Sequence, residues 1–423
     1  MTKERIIDAL KETNKWWKAE FEIDYRDREI YNKIKKFAET KQILALTGLR
    51  RVGKTTIMLK LVKDKLKSGF DPEDIVYFSF DDFKDIRIKE VFDTYAEIMN
   101  KDLNKNKYLF LFDEIQKIDG WEEQIKRIYD NYKNFKMVVS GSESLFIRKR
   151  IRESLAGRFY EFKINQLSFK EFLGFKNIEI KNSQIYKEEL IKAFKEYLLC
   201  NGFPEIVNSD KETITKYIQE NIIEKIIYRD IPQIFPIRDV AVLDGLFNII
   251  LFDPGEIINL NSLADNLNIS RQTASTYLDY LEKSFLIKKI YNFSKNVRKT
   301  ERKLKKYYPT IIRPKLIERE KWGQILETAM VLQLHAEFFW RDTYKNEVDI
   351  VLVNDKILPI EIKSGKKIDT RSLFLFMKKF KTKKGFIISL NHKETIKIKE
   401  KTIEAIPAWK FLLQKEVIGK VGK

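Results

Sequence analysis

The octapeptide Gly48-Leu49-Arg50-Arg51-Val52-Gly53-Lys54-Thr55 constrains this chain more than any other stretch. It fits G-x-x-x-x-G-K-[ST], and it stands between an apolar run, Ile43-Leu44-Ala45-Leu46-Thr47, and a helical pattern from Lys54 to Lys67. A strand, a glycine-rich turn and a helix in that order make a phosphate cradle. The glycines let backbone N–H groups curl round phosphate oxygens, and the helix N-terminus adds positive potential. This reading assigns nucleotide contact to Gly48, Leu49, Arg50, Arg51, Val52, Gly53, Lys54, Thr55 and Thr56. Lys54 is expected to reach the β- and γ-phosphates of ATP and to act in catalysis, and Thr55 to ligate Mg2+.

A loop of this kind needs a sheet beneath it. Ile75 to Phe80, Tyr108 to Phe112 and Met137 to Ser140 read as further strands, with helical patterns between them such as Trp121 to Tyr132. Short apolar runs separated by helices indicate a parallel sheet covered on both faces, an α/β architecture. The strand ending at Phe112 runs into Asp113-Glu114, which places Asp113 near the metal ion and makes Glu114 the candidate base for the attacking water. Ser140-Gly141-Ser142 closes the next strand. The Ser140 hydroxyl is a candidate for holding the water or the γ-phosphate, and a plain turn is the alternative. Arg148, Arg150, Arg152 and Arg158 follow. Arg158 is the candidate arginine finger, in cis or across an interface between copies, and a solvated basic face is the alternative.

From about Leu167 to Leu251 the pattern is helical, punctuated by Gly202-Phe203-Pro204 and Ile231-Pro232. Leu260 to Leu267 then reads as a helix, Asn268-Ile269-Ser270 as a turn, and Arg271 to Glu282 as a second helix with Ser270 as its N-cap. Ala264, Leu267, Ile269, Tyr277, Leu278 and Leu281 would pack inside this unit, and Arg271, Gln272 and Ser275 would point outward. Leu286 to Ile290 begins a wing. Charge follows at once. Lys plus Arg number 81 against 62 Asp plus Glu, and Lys283 to Lys321 alone holds 14 basic and 3 acidic residues, a net +11 of the chain's +19. Such a stretch beside a helix-turn-helix pattern points to DNA as partner. A packing module or a protein interface is the alternative.

Near the C-terminus, Glu347 to Val353 and Ile357 to Lys363 flank a short polar turn. A three-residue loop sets Val353 opposite Ile357, and hence Asp349 opposite Glu361. Like charges facing each other in a sheet need compensation, and a divalent cation supplies it. Glu327 on the preceding helix would complete a metal set of Glu327, Asp349 and Glu361, with Lys363 orienting water or stabilising charge on an attacked phosphate. A salt-bridge cluster is the alternative. Pro359 within the second run suggests an edge or bulged position.

The order of these parts resembles a widespread archaeal and bacterial family of AAA-type P-loop ATPases, in which the ATPase domain is fused to a winged helix and a restriction-endonuclease-like module. The matching pieces are Leu46 to Thr55, Asp113-Glu114-Ile115-Gln116, Ser140-Gly141-Ser142, Leu155-Ala156-Gly157-Arg158, Gly202-Phe203-Pro204, Tyr228-Arg229-Asp230-Ile231, Glu347-Val348-Asp349 and Ile360-Glu361-Ile362-Lys363. The resemblance implies ATP and Mg2+ as cofactors and nucleic acid as partner. It suggests an N-terminal helix at 1–30, the ATPase domain at 31–166 and a helical connector at 167–250. A winged helix with its basic arm would occupy 251–310 and the nuclease-like domain 311–423. A signalling ATPase whose C-terminal half senses a partner protein is the competing reading. Homo-oligomerisation fits either. A single cysteine, Cys200, excludes an internal disulfide, and no run approaches the about 18 apolar residues that span a bilayer, so a cytoplasmic protein is expected.

Overall fold

The computed structural model describes residues 2–83, 85–141, 155–179, 185–296, 304–314, 316, 321–353, 356–365, 369–398 and 400–414. The chain divides into two units, Met1–Gln166 and Leu167–Lys423.

The apolar runs of the first unit become strands β1 (Ile43–Thr47), β2 (Ile75–Ser79), β3 (Tyr108–Asp113) and β4 (Phe135–Gly141). Every residue of β1 and β3 is buried, as strands covered on both faces must be. A fifth strand, β5 (Phe159–Lys163), joins them, and the sheet is parallel in the order β2-β3-β4-β1-β5. One face is filled by aromatic side chains. Phe92 of the helix Ile88–Met99 lies edge-on to Phe110 at 4.3 Å and stacks on Phe135 at 5.4 Å. Because β4 lies between β1 and β3, the ends of these three strands meet at one edge of the sheet.

The outer edge of β2 is closed by the segment after the N-terminal helix Thr2–Thr13. Asn14 acts as a one-residue strand: its amide nitrogen donates to the Tyr77 carbonyl (2.9 Å) and its amide oxygen accepts from the Tyr77 N–H (2.7 Å). The indoles of Trp16 and Trp17 both donate to the Ile75 carbonyl, at 3.1 and 2.9 Å. An edge strand left open would invite pairing with another chain.

The second unit begins with helices Phe169–Phe175 and Lys187–Cys200, followed by a run from Lys211 that takes π-helical geometry over Tyr217–Glu224 and Ile226–Asp230. Helices Val240–Phe252, Leu260–Asn266 and Arg271–Lys283 come next, and the Ser270 hydroxyl caps the last by accepting from the Thr273 N–H. Ala264, Tyr277, Leu278 and Leu281 are buried, Leu267 and Ile269 partly so, and Arg271, Gln272 and Ser275 are exposed.

Among the described residues eight strands follow: β6 (Ile287–Asn292), β7 (Lys305–Pro309), β8 (Phe338–Arg341), β9 (Glu347–Val353), β10 (Ile357–Ile362), β11 (Lys384–Ser389), β12 (Glu394–Ile398) and β13 (Lys401–Pro407). Their order is β12-β13-β11-β10-β9-β8-β6-β7. The hairpin β6–β7 therefore belongs to the same sheet as β8–β13, and the sheet runs unbroken across residue 310. Strands β9 and β10 pair with Val353 opposite Ile357 and Ile350 opposite Ile360, the expected register. β10 is interior rather than at an edge. Pro359 is accommodated because it precedes Ile360–Ile362, the residues that pair with β11.

Asn14→Ala is expected to lower the unfolding free energy by about 2–4 kcal/mol, because it leaves the buried N–H and C=O of Tyr77 without these partners. Denaturant unfolding followed by circular dichroism measures this; an unchanged midpoint contradicts it.

Candidate nucleotide site and carboxylate cluster

The loop after β1 is shaped by three residues with positive φ: Gly48 (143°), Arg51 (62°) and Gly53 (94°). Gly48 is required by space as well. A Cβ there would stand 2.1 Å from the Ile164 carbonyl oxygen, since the Ile164 N–H donates to Thr47 O at 2.7 Å and draws the chain after β5 against the loop. Leu49 and Val52 point into the core and anchor the loop. Lys54, 5% exposed, lies under it and donates to the carbonyls of Gly48 (3.2 Å) and Leu49 (2.8 Å). Thr55 and Thr56 stand exposed in the first turn of the helix Lys54–Lys67, and Arg50 and Arg51 flank the turn.

Asp113 ends β3 and is 4% exposed. Its Oδ2 accepts from Thr55 Oγ1 (2.5 Å) and from the Tyr77 hydroxyl (2.8 Å). Its Oδ1 accepts from the Ser140 hydroxyl on β4 and from the Glu114 N–H (3.1 Å). Ser140 also accepts from the Glu114 N–H at 3.3 Å. Burial and the Asp113 charge push the Tyr77 phenol well above its usual range, so it remains a donor. Glu114 follows in the left-handed region (φ 52°), and its Oε2 accepts from Gln116 Nε2 at 2.5 Å. The hydroxyl of Thr55 and the carboxylate of Asp113 are hard oxygen donors already in contact, a set that suits Mg2+.

Lys54, Thr55, Asp113, Glu114 and Ser140 are thus brought together. Arg158 is not. It precedes β5 at the end of the sheet where the strands begin, with its carbonyl accepting from Ile43 N–H and its guanidinium on Asp130 (3.0 and 3.1 Å). β1 runs from Ile43 to the loop, so Arg158 lies a full strand away from the loop of its own chain and is no arginine finger in cis. Arg148, Arg150, Arg152 and Ser142 lie outside the described residues.

Two partners escape sequence reasoning. Tyr77 sits mid-strand and reads only as core. Arg28, 6% exposed, donates to the carbonyls of Val52 (2.8 Å) and Asn165 (2.7 Å) and so ties the loop to the segment after β5. It stands in a polar stretch, Asp24 to Glu29, with no periodicity to single it out.

In the second unit, Glu327 on the helix Trp322–Gln333, Glu347 and Asp349 on β9, Glu361 at the end of β10 and Lys363 just beyond it gather in one place. The Asp349 carboxylate accepts from the Ile362 N–H (2.6 Å), and Lys363 Nζ donates to Glu361 Oε1 (2.8 Å). The unexpected member is Lys306 of β7. Its Nζ lies 3.1 Å from Glu327 Oε1 and 2.5 Å from Glu347 Oε1, and the Tyr308 hydroxyl donates to the same Glu327 oxygen at 2.6 Å. Among the described residues no group of three or more His, Cys, Asp or Glu is disposed to hold a metal ion. The metal role expected for Glu327, Asp349 and Glu361 does not fit this arrangement: an ammonium group holds Glu327 where a cation would.

The loop, the strand-end acid and the serine between them define a P-loop ATPase unit of the AAA type. An AAA domain family matches residues 40–173. Two domains of unknown function, DUF8612 and DUF4143, match 191–310 and 322–411. The uncharacterised protein MJ1637 of Methanocaldococcus jannaschii is 30% identical over 430 residues, 90% of this chain and 87% of that protein. MJ1544 of the same organism is 29% identical over 398 residues, 88% of each. The chain belongs to the family that includes MJ1637. A RuvB structure from Thermotoga maritima aligns at 16% identity and a TM-score of 0.31, over 69% of this chain and 91% of that one. Among the described residues no helix is long and apolar enough to cross a membrane.

Burial and neighbouring carboxylates raise the pKa of Asp349, and burial, opposed by Lys363, raises that of Glu361. The folded protein therefore keeps these protons to higher pH than the unfolded chain does. Their contribution to stability is present at acid pH and declines as pH rises from the ordinary carboxylate range towards neutrality. Glu361→Gln removes its share of that decline. The melting temperature of the variant should gain on the parent between about pH 5 and about pH 8; a constant difference contradicts the assignment.

Proposed function

We propose that this chain is a Mg2+-dependent ATPase whose turnover is coupled to duplex DNA held by the second unit. The observation that carries the first half is the Asp113 carboxylate, shared by Thr55 of the phosphate loop and Ser140 of the neighbouring strand. When bound, Mg2+ supplies charge neutralisation at the transferring phosphoryl group. Thr55 and Asp113 are the residues that would hold it. Lys54 supplies a positive charge to the terminal phosphates, and the exposed N-terminal turn of the helix Lys54–Lys67 supplies N–H donors. Glu114 accepts a proton from the attacking water. Gln116 and the backbone anchor on Asp113 and Ser140 set the direction of its carboxylate.

The second half rests on the arrangement at 240–309. Three helices and the β6–β7 hairpin follow one another as in a winged helix, and Arg271, Gln272 and Ser275 stand exposed at the start of the third helix, where base edges are read. The local charge is smaller than the sequence count suggests. Among the described residues of Lys283 to Lys321, four lysines face acids outside the stretch: Lys283 on Asp279, Lys289 on Glu282, Lys306 on Glu327 and Glu347, and Lys321 on Asp253. Cleavage of DNA is no part of this proposal, because Glu327 and Glu347 are held by Lys306 and Glu361 by Lys363.

Steady-state ATP turnover measured with and without duplex DNA across a salt series tests the coupling. DNA should stimulate turnover, the stimulation should fall steeply as salt rises, and Arg271→Ala should weaken it. Turnover indifferent to DNA at every salt concentration contradicts the coupling and favours the signalling ATPase.

A further inference from the structure

We propose that Lys306 is the resident cation of the carboxylate cluster in the second unit, closing to divalent metals a site that Glu327, Asp349 and Glu361 would otherwise form. The proposal concerns metal binding alone and does not depend on the ATPase or on DNA.

Position is the first argument. β7 lies three strands from β9 in the sheet order, yet Lys306 reaches Glu347 at 2.5 Å and Glu327 at 3.1 Å. It is 5% exposed, and its ammonium also lies 5.4 Å from the centre of the Phe339 ring. A lysine seldom gives up its hydration to this extent without a compensating negative charge. Burial works against its charge, but Glu327, Asp349 and Glu347 hold its pKa above the usual lysine value. Its Nζ, within salt-bridge distance of two carboxylates on different elements, stands where a cation bound to Glu327 and Glu347 would stand.

The second argument is how firmly it is held. β7 pairs with β6 on one side, and on the other Ile257 bridges to Lys306 while the Gly255 N–H donates to Tyr307 O at 2.9 Å. Gly255 has φ +83°, and a Cβ there would lie 2.8 Å from the Tyr308 ring and 3.2 Å from Glu327 Oε1. The backbone thus closes over the Tyr308–Glu327 hydrogen bond.

The third is the donor set left over. Glu361 is 6% exposed, Oε1 is taken by Lys363, and Oε2 is buried with no hydrogen-bond partner among the described residues. Glu361 would stand opposite Asp349 on the next strand in the register of the hairpin. An unpartnered buried carboxylate oxygen is what a cluster retains when it is built of oxygen donors for a cation and balanced by an ammonium that does not reach every one of them. Arg341, 3.3 Å from Glu347 Oε2, completes the balance from outside.

The test is Mn2+ binding to the nucleotide-free full chain, read from the electron paramagnetic resonance signal of free Mn2+. Lys306→Met keeps the length of the side chain and removes its charge. It should bind one Mn2+ at the cluster at least tenfold more tightly than the parent, and adding Glu361→Gln to it should abolish the gain. Should Lys306→Met not yield folded protein, Lys306→Met with Glu347→Gln removes one charge of each sign and is read by the same criteria. A parent chain that binds Mn2+ at Glu361 as tightly as the variant overturns the proposal, and so does a folded variant that gains no binding.

Discussion

The Asp113 carboxylate holds the catalytic end of this protein together. Its two oxygens take hydrogen bonds from Thr55, Tyr77, Ser140 and the Glu114 backbone, and these come from the phosphate-loop helix, from β2 and β4, and from the residue that follows β3. A carboxylate held by so many donors from separate elements is fixed in position and direction. The sheet order makes it available. With β4 inserted between β1 and β3, the Ser140 hydroxyl spans the gap between the loop strand and the acid strand. Any order that set β1 directly beside β3 would leave Ser140 elsewhere.

The two units solve the same electrostatic problem differently. In the first, Lys54 lies under a loop of carbonyls and Asp113 is met by hydroxyls and an N–H, and on the proposed function these groups would face a polyphosphate and its metal. In the second, Lys306, Arg341 and Lys363 offset most of the charge of Glu327, Glu347, Asp349 and Glu361 within the protein. The first is a site arranged for an incoming ligand. The second is closed on itself.

Much of this was legible in the residues, for a physical reason in each case. A phosphate cradle needs glycines at fixed places before a helix, so Gly48, Gly53, Lys54 and Thr55 announce it. Strands buried on both faces read as apolar runs, so β1 to β4 and the ends bearing Asp113 and Ser140 could be placed. The β9–β10 register followed from the turn length. What escaped lacks such a signal. β5 (Phe-Tyr-Glu-Phe-Lys) is a half-exposed edge strand with charges in it, and without it Arg158 could not be located at the wrong end of the sheet. Arg28 and Tyr77 act through contacts distant in sequence. Lys306 was counted among the charges of a basic arm, because composition does not distinguish a lysine offered to a partner from one spent on a buried acid.

The account stands on Glu114 acting as base in a site assembled around Asp113. Single-turnover ATP hydrolysis by Glu114→Gln, measured beside equilibrium ATP binding by the same protein, tests it most directly. The account predicts that hydrolysis falls by about 10²–10⁴-fold, the usual worth of a positioned base, while ATP binding stays within about threefold of the parent. Hydrolysis at the parent rate would contradict it.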